Sequence, residues 1–260
     1  MSVVFITGSA DGLGLAAGRR LAGQGHQVIA HARSEARAAD TRAALPGAVA
    51  VVTGDLSSIA ATRAVAAQVN ALGRADAVIH NAGVGYQSPR RVETADGLGE
   101  VFAVNVLAPY LLTALITPPG RLIYLSSGMH RSGEPDLTDP QWARRRWNGP
   151  QAYSDSKLFD VLLAFAVARR WPRVRSNSVD PGWVATRMGG PGAPGNLELG
   201  TATQAWLAVS DDPAARVSGG NFYHLQPQTP HPAARSAARQ DELLDYCAGL
   251  TGTLLPPAPG

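Results

Sequence analysis

The stretch VVFITGSADGLG, Val3 to Gly14, decides the fold. A run of apolar residues suited to a strand buried on both faces ends at Thr7, and glycines follow at positions 8, 12 and 14. Gly8 permits a tight turn, while Gly12 and Gly14 remove side chains where backbone must approach a phosphate or a neighbouring strand. The helix that follows presents unpaired N–H groups and the positive end of its dipole to an anion, so the segment needs no lysine. Its spacing, G-x-x-x-G-x-G, is neither the G-x-G-x-x-G dinucleotide fingerprint nor the Walker loop with its Gly-Lys-Ser/Thr. Three glycines after a strand are compatible with a plain turn as well as with a nucleotide site.

Outward from this stretch, short β-rich runs alternate with helical patterns. Strands are expected at Val3–Thr7, Gln27–Ala32, Val49–Thr53, Ala77–His80, Arg121–Ser126, Arg175–Val179 and Asn221–His224. Helices are expected at Leu13–Ala22, Ser57–Leu72, Leu98–Leu115, Tyr153–Arg170 and Glu198–Val209. This alternation implies βαβ units: an α/β chain with a seven-stranded parallel sheet, doubly wound, with helices on both faces. Three stretches interrupt the rhythm. Gly128–Pro150 carries a small helix signal of its own, with Asp139 as cap and Pro140 opening Gln141–Trp147. Gly189–Gly195, GGPGAPG, is too rich in glycine and proline for regular structure and suits a mobile flap. Gln226–Pro232 leads to a last helix near Gln240–Gly249. The αβ pattern resumes after each, so residues 1–260 read as one domain with an insert at 128–150, a substrate loop at 184–197 and a C-terminal extension at 226–260.

Composition narrows the function. The 260 residues are 45% hydrophobic and 17% charged with a net charge of +3, as expected of an ordinary soluble globular protein. Arg144–Arg146 is the sole tight basic run, too little for a nucleic-acid surface. Cys247 stands alone, which leaves no internal disulfide and no thiolate metal site, and His31, His80 and His130 show no metal-ligand spacing. No signal peptide and no bilayer-length apolar run is read, so a cytoplasmic location without membrane attachment is expected.

Several residues carry chemistry. Tyr153 and Lys157 lie four apart on an expected helix and so share a face. A phenol with a pKa near 10 is a weak acid–base catalyst at neutral pH, and a neighbouring ammonium lowers that value. Ser126 and Ser127 end a strand, where one hydroxyl can steady a substrate oxygen as charge develops. Asn105 sits mid-helix in FAVNVLAPY and must find partners there. After HQVIAHA no acid is placed to bind an adenosine 2′-hydroxyl. Arg33 follows instead, suited to the 2′-phosphate of NADP, although Asp11 puts a negative charge in the glycine loop.

Taken together, TGSADGLG (7–14), DL (55–56), NAG (81–83), VN (104–105), LSSG (125–128), YSDSK (153–157) and PGWVAT (181–186) resemble the short-chain dehydrogenase/reductase family over nearly the whole chain. The long gap between Ser127 and Tyr153 is similar to that of its retinol-dehydrogenase-like and carbonyl-reductase-like branches. The resemblance implies a Rossmann-type fold and interconversion of a carbonyl and an alcohol with a nicotinamide cofactor, NADP(H) in preference to NAD(H) if Arg33 acts as above. It implies Tyr153 as general acid or base, Lys157 tuning it and holding the nicotinamide ribose, Ser127 on the substrate oxygen, and Asn105 holding a water in a proton relay. For the cofactor it implies Gly8, Ser9, Asp11, Gly12, Leu13 and Gly14 at the pyrophosphate and Asp55 and Leu56 beside the adenine. Asn81, Ala82 and Gly83 would follow along its length, with Pro181, Gly182, Val184 and Thr186 at the nicotinamide. Met129, His130, Trp183 and Met188 are the expected substrate contacts, with Trp142 or Trp147 as lids. Such groups suit a bulky apolar carbonyl compound. Relatives form oligomers through the helix bearing the tyrosine, a surface the insert can block.

Overall fold

In the computed structural model, which describes residues 1–259, the apolar run at the N-terminus becomes the central strand β1 (Val3–Ile6). Six further strands run parallel to it: β2 (Gln27–Ala32), β3 (Ala48–Thr53), β4 (Ala77–His80), β5 (Arg121–Leu125), β6 (Arg175–Asp180) and β7 (Asn221–Tyr223). The sheet has eight strands, not seven. The added one, β8 (Gln226–Pro227), pairs antiparallel with β7 at the edge, where its proline loses no central ladder bond. The order β3-β2-β1-β4-β5-β6-β7-β8 reverses direction between β1 and β4, the switch point at which ligands of such sheets sit.

Helices α1 (Gly12–Gly23), α2 (Glu35–Ala44), α3 (Ile59–Ala71), α4 (Glu100–Phe102), α5 (Ala108–Leu115), α6 (Gly149–Arg170), α7 (Leu197–Val209) and α8 (Ala237–Thr251) cover the two faces. A π-helical turn, Ala103–Leu107, joins α4 to α5. One hydrophobic core packs β1–β5 side chains such as Phe5, Val78 and Tyr124 against α3, α5, α6 and α8. The other packs Val4, Ile6, Ile123 and Val179 against α1 and α7. The alternation of β1, with Phe5 on one side and Val4 and Ile6 on the other, feeds both cores.

Helix α2 escapes a search for apolar periodicity because only Ala38 and Thr41 of it are buried. The helix expected over Gln141–Trp147 does not form. Asp139 does cap, but its carboxylate gathers the N–H groups of Ala143 (2.8 Å), Arg144 (3.0 Å) and Arg145 (3.0 Å) into a turn, with Trp142 at φ 55°. The insert is instead latched to α6 by Asp155, 1% exposed. This carboxylate accepts from Glu134 N and Gln151 Nε2 (both 2.8 Å), Arg145 Nη2 (2.9 Å) and Trp142 Nε1 (3.1 Å). Trp142, buried with the Arg145 guanidinium 3.8 Å over its ring, is therefore part of the latch and not a lid.

Candidate active site

The segments singled out in the sequence converge on the carboxyl edge of the sheet. The glycine loop follows β1, Arg33 follows β2, Asp55–Leu56 follows β3, Asn81–Gly83 follows β4, Ser127 follows β5 and Pro181–Thr186 follows β6.

The glycine loop is held in a fixed shape. Gly8 and Gly12 adopt φ of +62° and +53°, which side chains disfavour. A Cβ on Gly14 would lie 2.4 Å from the Gly8 carbonyl oxygen. Asn81 Nδ2 donates to the carbonyls of Thr7 (2.9 Å) and Gly8 (3.1 Å), and Thr7 Oγ1 accepts from the N–H groups of Asn81 and Ala82. Below the loop Ser9 Oγ donates to Ile6 O and accepts from His31 N. His31, which no sequence spacing flags, is the main brace. Its Nδ1 accepts from Gly8 N (3.0 Å), so Nε2–H donates to Gly54 O (2.9 Å) and the ring is neutral.

Burial pushes the His31 pKa below 6.5. The brace is thus intact above the unfolded value and is lost as pH falls below 6.5 towards the lowered native value. The expected result is a fall in thermal midpoint between about pH 7 and pH 5 that is larger in the wild type than in His31→Asn. Equal falls would remove His31 from the account.

No side chain caps α1. Asp11, whose charge stood against an anion here, turns to Arg37 at 2.8 Å on the first turn of α2. The first N–H groups of α1 and a cradle that a Cβ would fill therefore fit a pyrophosphate. Arg33 is exposed, just before Ser34, which caps α2. Asp55 Oδ1 accepts from Ser57 N, and the cap of α3 is Ser58.

Across the edge, Tyr153 and Lys157 rise from the buried helix α6. Lys157 Nζ lies 5.7 Å from the centre of the Tyr153 ring. It donates to Leu125 O (2.7 Å) and Asp160 Oδ2 (2.8 Å). Burial raises the Tyr153 pKa; Lys157 and a Ser127 hydrogen bond lower it, while Asp160 and Asp180 raise it further. The net rise reverses the sequence expectation: burial outweighs an ammonium whose charge is shared with Asp160. Ser126 Oγ donates to Lys157 O, a packing contact. Asn105, in the π turn, pairs with both backbone groups of Val84 and donates to Ser156 Oγ (2.9 Å), which fixes the segment after β4 against α6.

A cavity of about 610 Å³ opens above Ser127 and Tyr153. Met129, Trp183 and Met188 line it as expected, joined by Tyr86, Arg131, Asp180 and Tyr223, which come from separate segments, the last two from the ends of β6 and β7, and carry no sequence signal. His130 does not line it. The ring is fully buried, and Nδ1–H donates to Ser127 O at 2.6 Å, so His130 supports Ser127 from beneath. Trp147 lies outside this cavity, bonded to Ser88 O and lining a smaller one beside it. The GGPGAPG segment is tied by Trp183 Nε1 to Gly189 O and by Gly195 N to Trp183 O (both 2.9 Å).

A doubly wound sheet with an anion cradle at its switch point and a phenol–ammonium pair beside a substrate-sized cavity defines an oxidoreductase of the nicotinamide-dependent class. Comparison with known proteins makes the class specific. The model of the short chain dehydrogenase family matches residues 2–195. An uncharacterized oxidoreductase of Emericella nidulans is 45% identical over 257 residues, covering 97% of this chain and 98% of that one. Human retinol dehydrogenase 13 is 32% identical over 285 residues, covering 97% and 85%. A crystal structure of an uncharacterized protein from Mycobacterium paratuberculosis superposes with a TM-score of 0.85 at 28% identity, covering 98% and 95%. The chain belongs to the short-chain dehydrogenase/reductase family, on its retinol-dehydrogenase-like branch, and is an oxidoreductase of CH–OH and C=O groups that uses NAD(P). Among the described residues no helix is long and apolar enough to cross a membrane.

Proposed function

We propose that the protein is an NADP(H)-dependent carbonyl reductase acting on a bulky apolar ketone or aldehyde. The observation that carries this reading is that Ser127 and Tyr153 line one cavity, with the Lys157 ammonium 5.7 Å from the centre of the Tyr153 ring, at the edge that also holds the glycine cradle and Arg33. The glycine loop and the first turn of α1 would hold the pyrophosphate, and Asn81–Gly83 and Pro181–Thr186 the nicotinamide half. Bound there, the cofactor supplies or accepts a hydride. The chain's own groups handle the proton. Ser127 Oγ and Tyr153 Oη orient the carbonyl oxygen, and Tyr153 gives it a proton during reduction or takes one during oxidation. Lys157 and Asn105 support that transfer. Tyr86, Met129, Trp183, Met188 and Tyr223 give the cavity walls their apolar and aromatic character, which suits a bulky apolar substrate.

The test is oxidation of NADPH in the presence of a panel of aryl and alkyl ketones and aldehydes. Reduction of several bulky members is expected; no turnover with any would defeat the reading. Arg33 bears on cofactor choice. A charge-assisted contact to the 2′-phosphate contributes about 1.5–3 kcal/mol. Arg33→Ala is therefore expected to lower the NADPH-to-NADH ratio of kcat/KM by about ten- to a hundredfold. An unchanged ratio removes Arg33 from the site.

A further inference from the structure

We propose that Asp160 is a positioning residue that clamps Lys157 and offsets its ammonium charge, so that the lysine acts on the Tyr153 phenol with less than its whole charge. This rests on the assignment of Tyr153 as the proton donor. The geometry is a closed ion pair. Asp160 lies three residues beyond Lys157 on α6, with Oδ2 2.8 Å from Nζ and side-chain exposures of 3% and 4%. Leu125 O takes a second Nζ proton at 2.7 Å. Two of the three donors are thus committed, and the third is left for the cleft, where Nζ and Asn105 Oδ1 are the atoms nearest a Cβ placed on Gly83. Without Asp160 the ammonium would be free to turn about its long stem and would act on the phenol with its whole charge.

The electrostatic consequence follows from which groups face the pair. On α6 itself stands Tyr153. From β5 comes Tyr124, buried, with its hydroxyl 2.7 Å from Thr113 Oγ1. From β4 comes His80, its ring tilted against that of Tyr124 with centroids 4.7 Å apart, and held neutral by burial, which lowers its pKa to about 3. At the end of β6 stands Asp180, and after β5 the Ser127 hydroxyl. Tyr86 and Arg131 line the cavity above Tyr153, Lys157 is the cation whose charge lowers the phenol pKa, and Asp160 is the anion in contact with that lysine. Burial lifts the Asp160 pKa to about 6 in spite of Lys157, still below neutral pH, so the carboxylate is mostly charged there. Burial also works against the Lys157 ammonium, but Asp160 and Tyr153 outweigh it and the group stays charged. Next to a pair of zero net charge, the phenol keeps the high pKa that burial imposes. During reduction the Tyr153 O–H bond breaks, its proton passes to the substrate oxygen, its electron pair remains as phenolate, and solvent restores the proton.

The experiment compares full-length wild type with Asp160→Asn and Asp160→Glu, titrated from about pH 7 to 11 by tyrosinate absorbance, with and without NADP. The same titration on each protein carrying Tyr153→Phe subtracts the other tyrosines. In D160N the Tyr153 step is expected about one pH unit or more below that of the wild type, because the ammonium is no longer offset. D160E is expected to restore the wild-type position. The acid limb of alcohol oxidation should move down with the step, so that D160N oxidises faster near neutrality. Superimposed titrations of wild type and D160N would overturn the proposal. Circular dichroism checks the fold; should D160N not fold, D160S takes its place in the titration, and failure of both would make the pair a folding element and end the proposal. A titration that moves in a protein that reduces no member of the carbonyl panel defeats the functional reading alone. Turnover with an unmoved titration defeats this one alone.

Discussion

Tyr153→Phe is expected to lower kcat for carbonyl reduction by about 10²–10⁴-fold while leaving the fold and NADPH binding close to those of the wild type. The size follows from what the substitution removes. Phenylalanine keeps the ring, which is 7% exposed and packs edge-on to Tyr86 at 5.6 Å, and deletes only the hydroxyl. Neither of the two groups assigned beside it replaces that proton. Ser127 can donate a hydrogen bond but is far too weak an acid, and the Lys157 ammonium is occupied by Leu125 O and Asp160. Steady-state rates together with NADPH fluorescence titration check the result. A KM change without loss of kcat would mean that Tyr153 binds substrate and does not move the proton.

Gly14→Ala carries the other large effect, and it acts on the cofactor end. The added Cβ would stand 2.4 Å from Gly8 O, 2.5 Å from Asn81 Nδ2 and 2.9 Å from Ser9 Cα. Two of these three atoms are backbone, so relief requires the loop to part from α1. Overpacking of this kind costs about 1–3 kcal/mol, which at this chain length lowers the thermal midpoint by about 3–10 °C. The displaced loop is the proposed pyrophosphate cradle, and NADPH affinity is expected to fall by more than about tenfold. Gly12→Ala makes the contrast. Its Cβ would meet nothing nearer than Thr186 Cγ2 at 3.6 Å, leaving only the strain of φ +53°, about 1–2 kcal/mol. Equal losses in the two variants would show that close approach at Gly14 is not what matters.

Much of this was legible in the chain because it is local. A strand that stops at Thr7, glycines that follow, and Tyr153 and Lys157 one helical turn apart are relations within a dozen residues, and the parallel sheet follows from repeated alternation. What could not be read depends on residues brought together by folding. His31 braces Gly8 from 23 positions away, and in HQVIAHA it looks like any strand residue. Asp160 sits within an apolar helical run, where its sequence gives no hint that it closes on Lys157, and the burial that raises the Tyr153 pKa is likewise a property of the assembled fold. Arg131 and Tyr223 reach the cavity from a turn after β5 and from the end of β7. His130 adjoins Met129 in sequence yet turns inward to Ser127 O. The helix expected after Asp139 shows the reverse case, in which local signals were present and tertiary demands overrode them. The capping carboxylate formed its bonds, but Trp142 and Arg145 were drawn to Asp155.

Helix α6 is buried along nearly its whole length, from Ala152 to Val167 without interruption, under β5, β6, the insert and α8. A segment enclosed in this way has no route to fraying of its own and opens only when the domain opens. Tyr153 and Lys157 are mounted on it, whereas Trp183 and the glycine-proline segment beyond it are at the surface. The groups assigned to the chemistry therefore belong to the part of the molecule whose persistence equals that of the whole fold. The Trp183 side of the cavity, proposed to face the substrate, belongs to the part that can be rebuilt, residue by residue, without disturbing the chemistry beneath.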